Sequence, residues 1–241
     1  VTLPDSVKVI SAYCFAEMEE LDTVTMPCVE VIKERAFNYC KNLDTIEFPD
    51  SLTIVEDYTF SNCHTLSVVN IPSNITKIGN RAFFRVKITG DIVFPATVKE
   101  IGENAFAECN ALTGVSFMGD VKIGEAAFYS CKALTKAEFE PASSITLETK
   151  AFSQCYNLKA LALPEGKVVL SSELFLETGI EVLEINTSDL TAPEDLYAAY
   201  DKYNPWVAKG KLKKIIIGKN VNSLNINALE CATVTSIVID E

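Results

Sequence analysis

Two adjacent stretches decide the fold: residues 66–86, LSVVNIPSNITKIGNRAFFRV, and residues 88–109, ITGDIVFPATVKEIGENAFAEC. Each opens on an apolar residue and alternates through a short apolar run. Each then passes a proline (Pro72, Pro95), a second apolar pair (Ile75 with Ile78, Val98 with Ile101) and a glycine. Both then reach Ala-Phe, at Ala82-Phe83 and Ala105-Phe106, and close three residues later at Val86 and Cys109. Working outward in both directions, phenylalanines recur at Phe15, Phe37, Phe60, Phe83, Phe106, Phe128, Phe152 and Phe175, with spacings of 22, 23, 23, 23, 22, 24 and 23 residues. A fixed period in this range is the signature of stacked repeats.

The other columns line up on those rings. Alanine precedes the Phe at Ala36, Ala82, Ala105, Ala127 and Ala151, and cysteine follows three later at Cys40, Cys63, Cys109, Cys131 and Cys155. Leucine stands six after the Phe at Leu21, Leu43, Leu66, Leu112, Leu134 and Leu158. The alternating run, such as Thr45-Ile46-Glu47-Phe48, reads as a short strand with one buried face. Proline at its end removes no needed ladder hydrogen bond. The Ala-Phe-x-x-Cys segment is too short for an independent helix and is expected to form a helical turn whose Phe plugs the core. One unit of about 23 residues cannot bury its own apolar face, so neighbours must stack, with strands about 4.8 Å apart in a parallel ladder. Roughly nine to ten units give an array about 45 Å long.

These columns resemble the BspA-like leucine-rich repeats of bacterial and protist surface proteins. The likeness covers residues 1–185 well and 212–241 loosely, with Val86 where Cys is usual. The expected fold is therefore an α/β repeat solenoid: a right-handed, curved leucine-rich-repeat solenoid with short parallel strands and short helical or turn segments. Residues 1–241 are read as a single solenoid, with regular repeats over 1–185, a degenerate helical repeat over 186–211 and final strands over 212–241. The resemblance further implies secretion to a cell surface, no catalysis, and adhesion or binding to a protein or glycan. A structural spacer displaying another part of a longer polypeptide is the alternative. The sequence opens inside a repeat, which fits a piece cut from a longer chain.

Composition narrows the partners. The formal net charge is −12, which repels nucleic-acid phosphates and anionic membrane surfaces. No apolar stretch approaches the roughly 18 residues of a membrane span, so direct membrane insertion is not expected. The chain is read as a monomer. The five cysteines of the main column occupy one repeat position, so their Cβ atoms lie about one rung apart, near 5 Å, whereas a disulfide needs about 3.8 Å. They are expected to be buried free thiols acting as small apolar fillers. His64 is the single histidine, and nothing reads as paired C-x-x-C, so no metal site is assigned. No G-x-S-x-G, H-E-x-x-H, P-loop or G-x-G-x-x-G occurs, so neither catalytic residues nor a cofactor are expected. Glu19-Glu20 and Glu56-Asp57 read as solvated pairs.

Period two places two outward columns on the strand face, and the candidate partner-binding residues there are Thr45, Glu47, Asn70, Asp91, Ser116, Lys136, Glu138, Glu184 and Lys214. Neither column contains an aromatic residue or arginine, the usual hot-spot types, which favours a broad or multivalent contact. Where the repeat lapses, Ser188 or Thr191 is a candidate cap, with Pro193 in the first turn of a helix. Leu196, Tyr197, Tyr200 and Tyr203 then follow at helical spacing. Tyr197, Tyr200, Tyr203 and Trp206 form a possible aromatic patch, weighed against plain core packing.

Overall fold

The computed structural model describes residues 1–171, 178–187, 189–191, 212–222 and 234–240. Among the described residues all pairing is parallel, and successive turns of the chain build two sheet surfaces. The longer surface is one nine-stranded sheet of very short strands: β1 (Val9–Ile10), β3 (Val31–Ile32), β5 (Ile54–Val55), β7 (Lys77–Ile78), β9 (Glu100–Ile101), β11 (Val121–Ile123), β13 (Ile145–Leu147), β15 (Val168–Leu170) and β17 (Leu190–Thr191). Its strands are built from the second apolar pair of each repeat, and the chain makes about nine turns.

The other surface carries the alternating run. It is divided into three sheets: β2 (Thr23–Thr25), β4 (Thr45–Glu47) and β6 (Val68–Val69); β8 (Gly90–Phe94), β10 (Leu112–Phe117) and β12 (Lys136–Phe139); β14 (Ala160–Leu163), β16 (Val182–Ile185), β18 (Lys214–Ile217) and β19 (Ser236–Ile239). The expected uninterrupted ladder is thus broken twice. Just past the first break the register shifts by one residue between β8 and β10, where Leu112 faces Gly90 and Gly114 faces Asp91, and Gly90 stands at φ +79°, a conformation open to glycine at little cost. β12 and β14 lie side by side without ladder bonds. Within each sheet the register matches the sequence columns: Thr23 pairs Thr45, Ser116 pairs Glu138, and Glu184 pairs Ile216.

The core is a file of rings. Phe15, Phe37, Phe60, Phe83, Phe106, Phe128 and Phe152 stack with centroids 5.1, 5.2, 5.3, 5.0, 5.4 and 5.4 Å apart and ring planes within 16° of parallel. A second file, Phe94, Phe117 and Phe139, stacks at 5.0 and 5.2 Å and meets the first edge-on, as at Phe94–Phe106. Burying each ring is worth about 1.5–3 kcal/mol, with a further ~0.5–1.5 kcal/mol for the aromatic contact. Phe175 lies outside the described residues.

The expected helical turn is not there: the described residues contain no helix. Instead each Phe is flanked, two residues before and two after, by a non-glycine residue at positive φ. The pairs run Tyr13/Glu17, Arg35/Tyr39, Tyr58/Asn62, Arg81/Arg85, Asn104/Glu108, Ala126/Ser130 and Lys150/Gln154. The hydrogen bonds explain why. Around Phe37, the amides of Ala36, Asn38 and Cys40 fold back to the carbonyls of Lys33, Arg35 and Phe37 at 3.1–3.2 Å. The amides between them, Arg35, Phe37 and Tyr39, donate to Asp57, Thr59 and Ser61 of the following turn at 2.9–3.0 Å. Alternate amides must point along the array, which a helix forbids, and left-handed residues supply the reversals. Each such residue costs about 1–2 kcal/mol, offset by satisfying buried backbone groups.

Of the degenerate repeat over 186–211, residues 186–187 and 189–191 are described. Thr191 closes β17 as the partner of Val169. Ser188, the expected helix and the aromatic patch of Tyr197, Tyr200, Tyr203 and Trp206 lie outside the described residues.

Candidate functional site

The strand-face residues stand where period two puts them. Thr45, Glu47, Asn70, Asp91, Lys136 and Glu138 are exposed, and Ser116, Glu184 and Lys214 are half-buried. Asn70 sits just past β6 rather than within it. Because the sheets are separate, these residues form three short fields and not one long column. Several are tied to neighbours: Lys136 pairs Glu138 at 3.1 Å, the Thr113 hydroxyl donates to Asp91 at 2.6 Å, and Asn186 donates to Glu184 at 3.0 Å. The Asp91 carboxylate lies over Gly114, 2.6 Å from where a Cβ would stand.

A different face carries the residue types that dominate interfaces. All three arginines of the chain, Arg35, Arg81 and Arg85, occupy left-handed positions of the Phe-centred turns. Three of the five described tyrosines, Tyr13, Tyr39 and Tyr58, do the same, and Tyr129 and Tyr156 lie in the same turns. The side chains interleave. The Arg35 guanidinium lies 4.5 Å from the Tyr58 ring centroid and 5.5 Å from that of Tyr13, and Arg81 approaches the other side of Tyr58 at 5.7 Å. Arg85 stacks on Phe84 at 4.9 Å. Each contact of this exposed kind is worth about 0.5–1 kcal/mol.

Carboxylates fix the edges of the guanidinia. Arg35 donates to Glu34 at 2.6 Å and to the Tyr13 hydroxyl at 2.5 Å. Arg85 grips Glu108 with two bonds of 2.9 and 3.1 Å, and Arg81 stands 4.0 Å from Glu103. Beside the ladder, Glu17, Glu19, Glu20, Tyr39 and Lys41 line a hollow of about 640 Å³, closed on one side by the Lys41–Glu19 pair at 2.5 Å.

Behind these turns sit the cysteines. All five of the main column are free and fully buried. They do more than fill space. Each thiol donates to the carbonyl of a Phe in an earlier turn: Cys40 to Phe15, Cys63 to Phe37, Cys109 to Phe83, Cys131 to Phe106 and Cys155 to Phe128, at 3.0–3.2 Å. Burial pushes the thiol pKa values up, to about 11 at Cys40 and about 12 at Cys109 and Cys155, with Cys63 and Cys131 also raised. Such thiols are poor nucleophiles and poor metal ligands. Among the described residues no cluster of His, Cys, Asp and Glu is placed to hold a metal.

The profile of the BspA type leucine rich repeat region matches residues 1–113 and 86–204, in six copies. The chain belongs to the BspA-type leucine-rich repeat family. Solenoids of this family are generally non-catalytic. No curated protein matches the chain. A leucine-rich repeat protein from Bacteroides ovatus ATCC 8483 is similar in fold, with a TM-score of 0.61 and 21% identity over 100% of this chain and 66% of that one. A leucine-rich repeat protein of T. pallidum has a TM-score of 0.58 and 27% identity, covering 66% of this chain and 77% of its own. The BspA-type chain described here therefore spans just under two thirds of the Bacteroides protein's length.

Proposed function

We propose that this BspA-type chain is a non-catalytic binding module of a surface or secreted bacterial protein, and that it holds a protein or glycan partner through the Phe-centred turns. One observation carries the reading: every arginine and every described tyrosine gathers on that face, whereas the strand face holds neither. Arg and Tyr are the side chains that concentrate binding energy. Here Arg35, Arg81, Arg85, Tyr13 and Tyr58 are held by stacking, so little of their side-chain entropy is lost on contact. The strand-face set, Thr45 to Lys214, is the competing contact surface.

The test is binding of the whole chain to immobilised matrix proteins and to a glycan array. Arg35→Gln with Arg81→Gln should weaken the strongest interaction by tenfold or more. Glu47→Gln with Glu138→Gln should leave it unchanged. The reverse pattern moves the contact to the strand face, and absence of any interaction removes the binding reading.

A second reading, a spacer that displays another part of a longer polypeptide, is favoured by the unbroken ring file from Phe15 to Phe152 and by ion pairs that bind one turn to the next. Such a rod resists bending. It predicts that neither pair of substitutions affects the behaviour of the longer protein.

A further inference from the structure

Along the nine-stranded sheet, lysines and glutamates are matched between neighbouring turns. Lys8 faces Glu30 at 3.8 Å, Lys33 faces Glu56 at 2.6 Å, Lys77 faces Glu100 at 3.2 Å and Lys122 faces Glu148 at 2.7 Å. Two lysines break the rule. Lys99 and Lys167 make no ion pair among the described residues, and both border the same groove, of about 380 Å³.

The groove has a physical origin in the sequence. The middle residues of β11, β13 and β15 face outward: Lys122, Thr146 and Val169. Thr146 and Val169 are short, and Lys99, Lys122 and Lys167 are long, so the lysine stems stand around a low floor. Ser144 and Asp120 complete the polar lining. Asp120 is occupied, because it accepts the Ser144 amide at 2.8 Å, and the Ser144 hydroxyl accepts the Lys167 amide at 3.2 Å. The Thr146 hydroxyl has no protein partner among the described residues. With Lys122 committed to Glu148, the unpaired Lys99 and Lys167 against Asp120 leave the lining with an excess of positive charge in a chain of net charge −12.

We infer that this groove binds a short saccharide bearing carboxylate or sulfate groups. The strands β9, β11, β13 and β15 are consecutive neighbours. Lys99 precedes the first and Lys167 the last, so their backbones are about 14 Å apart at one rung per strand. Cations spread over that distance match anions carried at intervals on a chain, not one compact ion. The ammonium groups act as point charges, and Thr146 is free to hydrogen-bond a sugar hydroxyl. Net charge −12 opposes any long polyanion, which limits the occupant to a short oligosaccharide that stays within the groove. The site is distinct from the turn-face contact and does not depend on it.

The experiment is calorimetric titration of the whole chain at low ionic strength with four probes. They are a galacturonate oligosaccharide, a heparin-derived sulfated oligosaccharide, a neutral oligosaccharide of matching length, and inorganic sulfate. One of the two acidic oligosaccharides is expected to bind, with affinity falling as salt is added, and which one binds identifies the anion. Lys99→Gln with Lys167→Gln should weaken it by roughly tenfold, at an unchanged melting temperature because both side chains are exposed. Lys87→Gln, an exposed lysine outside the groove, and Arg35→Gln with Arg81→Gln on the turn face should leave it unaltered. Four results overturn the inference: no binding of either acidic oligosaccharide, equal binding of the neutral one, equal affinity for inorganic sulfate, or wild-type binding by the Lys99/Lys167 variant. None of these touches the turn-face reading, which its own arginine substitutions decide.

Discussion

On the strand face, outward positions include Thr, Val, Asp, Ser, Glu and Lys, their backbones are extended, and within each sheet a residue pairs with its counterpart one turn away. On the turn face, the positions two residues either side of each Phe carry Tyr, Arg, Glu, Asn, Ala, Ser, Lys and Gln, all at positive φ, and all but Asn62, Ala126 and Ser130 reach the surface. The two faces solve one problem, pairing a turn with the next, by opposite means. Strands do it with every backbone group in one regular conformation. The turns do it with alternate amides and repeated left-handed residues, which crowds large side chains outward while the rings stack inward. A solenoid surface is therefore not uniform, and the side that a period-two argument highlights is here not the side rich in Arg and Tyr.

The largest effect should come from the ring file that the turns enclose. Phe106 is fully buried between Phe83 and Phe128, and both its stacking partners lose contact if it is truncated. Phe106→Ala is expected to cost about 3–5 kcal/mol, measured by denaturant unfolding. A loss below about 1 kcal/mol would mean that the turn side is not the mechanical core.

A pH series sharpens the contrast next. Cys109 has an ordinary value of 9.0 that burial raises to about 12 in the folded chain. Above pH 9 the unfolded chain releases a proton that the native chain keeps, so stability is full below about pH 9 and falls as pH climbs towards 12. The slope is about 1.4 kcal/mol per pH unit for each such thiol. Cys109→Val, which copies the residue at Val86 in the preceding repeat, should make unfolding measurably less steep in pH over that window. An unchanged slope would show that this thiol is not held protonated by the fold.

Much of this architecture was readable from the columns. The Phe period, the strand registers and the free thiols follow from translation: equivalent residues in stacked units must superpose. The helical turn was misread because the residues at Phe −2 and Phe +2 share no chemistry. Left-handed conformation usually announces itself through Gly or Asn, and only Asn62 and Asn104 among these positions give that signal. The nine-stranded sheet was seen only as an apolar pair, since most of its strands are two or three residues long and leave no period to count. The groove residues Lys99, Lys122 and Lys167 carry no signal in the sequence for the same reason. Lys99 and Lys167 stand out because they lack the glutamate partner that Lys122 has in Glu148, and seeing that requires the register. The thiol-to-carbonyl bonds needed the folded turn as well.

A sign change tests the turn geometry with a smaller expected effect. Ala126 has φ 53°, whereas Ala105 precedes its Phe at a position without positive φ. Glycine ordinarily destabilises by about 0.5–1 kcal/mol through lost chain entropy. At Ala126 that loss is opposed by relief of the left-handed cost of about 1–2 kcal/mol. Ala126→Gly should therefore raise stability by up to about 1 kcal/mol, while Ala105→Gly lowers it. Two changes of the same sign would refute the alternating-amide description.

The smallest effect belongs to the strand face. Val93 is 55% exposed in the middle of β8, opposite Ser116, with its side chain turned away from the core. Val93→Thr keeps the β-branched shape that suits an extended backbone and exchanges one exposed methyl for a hydroxyl that water can satisfy. Neither the ring file nor any ladder hydrogen bond is touched. Melting should shift by no more than about 0.5 kcal/mol of stability, and binding through the turns should not change. A loss of partner affinity on this substitution, at unchanged stability, would transfer the contact surface from the arginines to the strands.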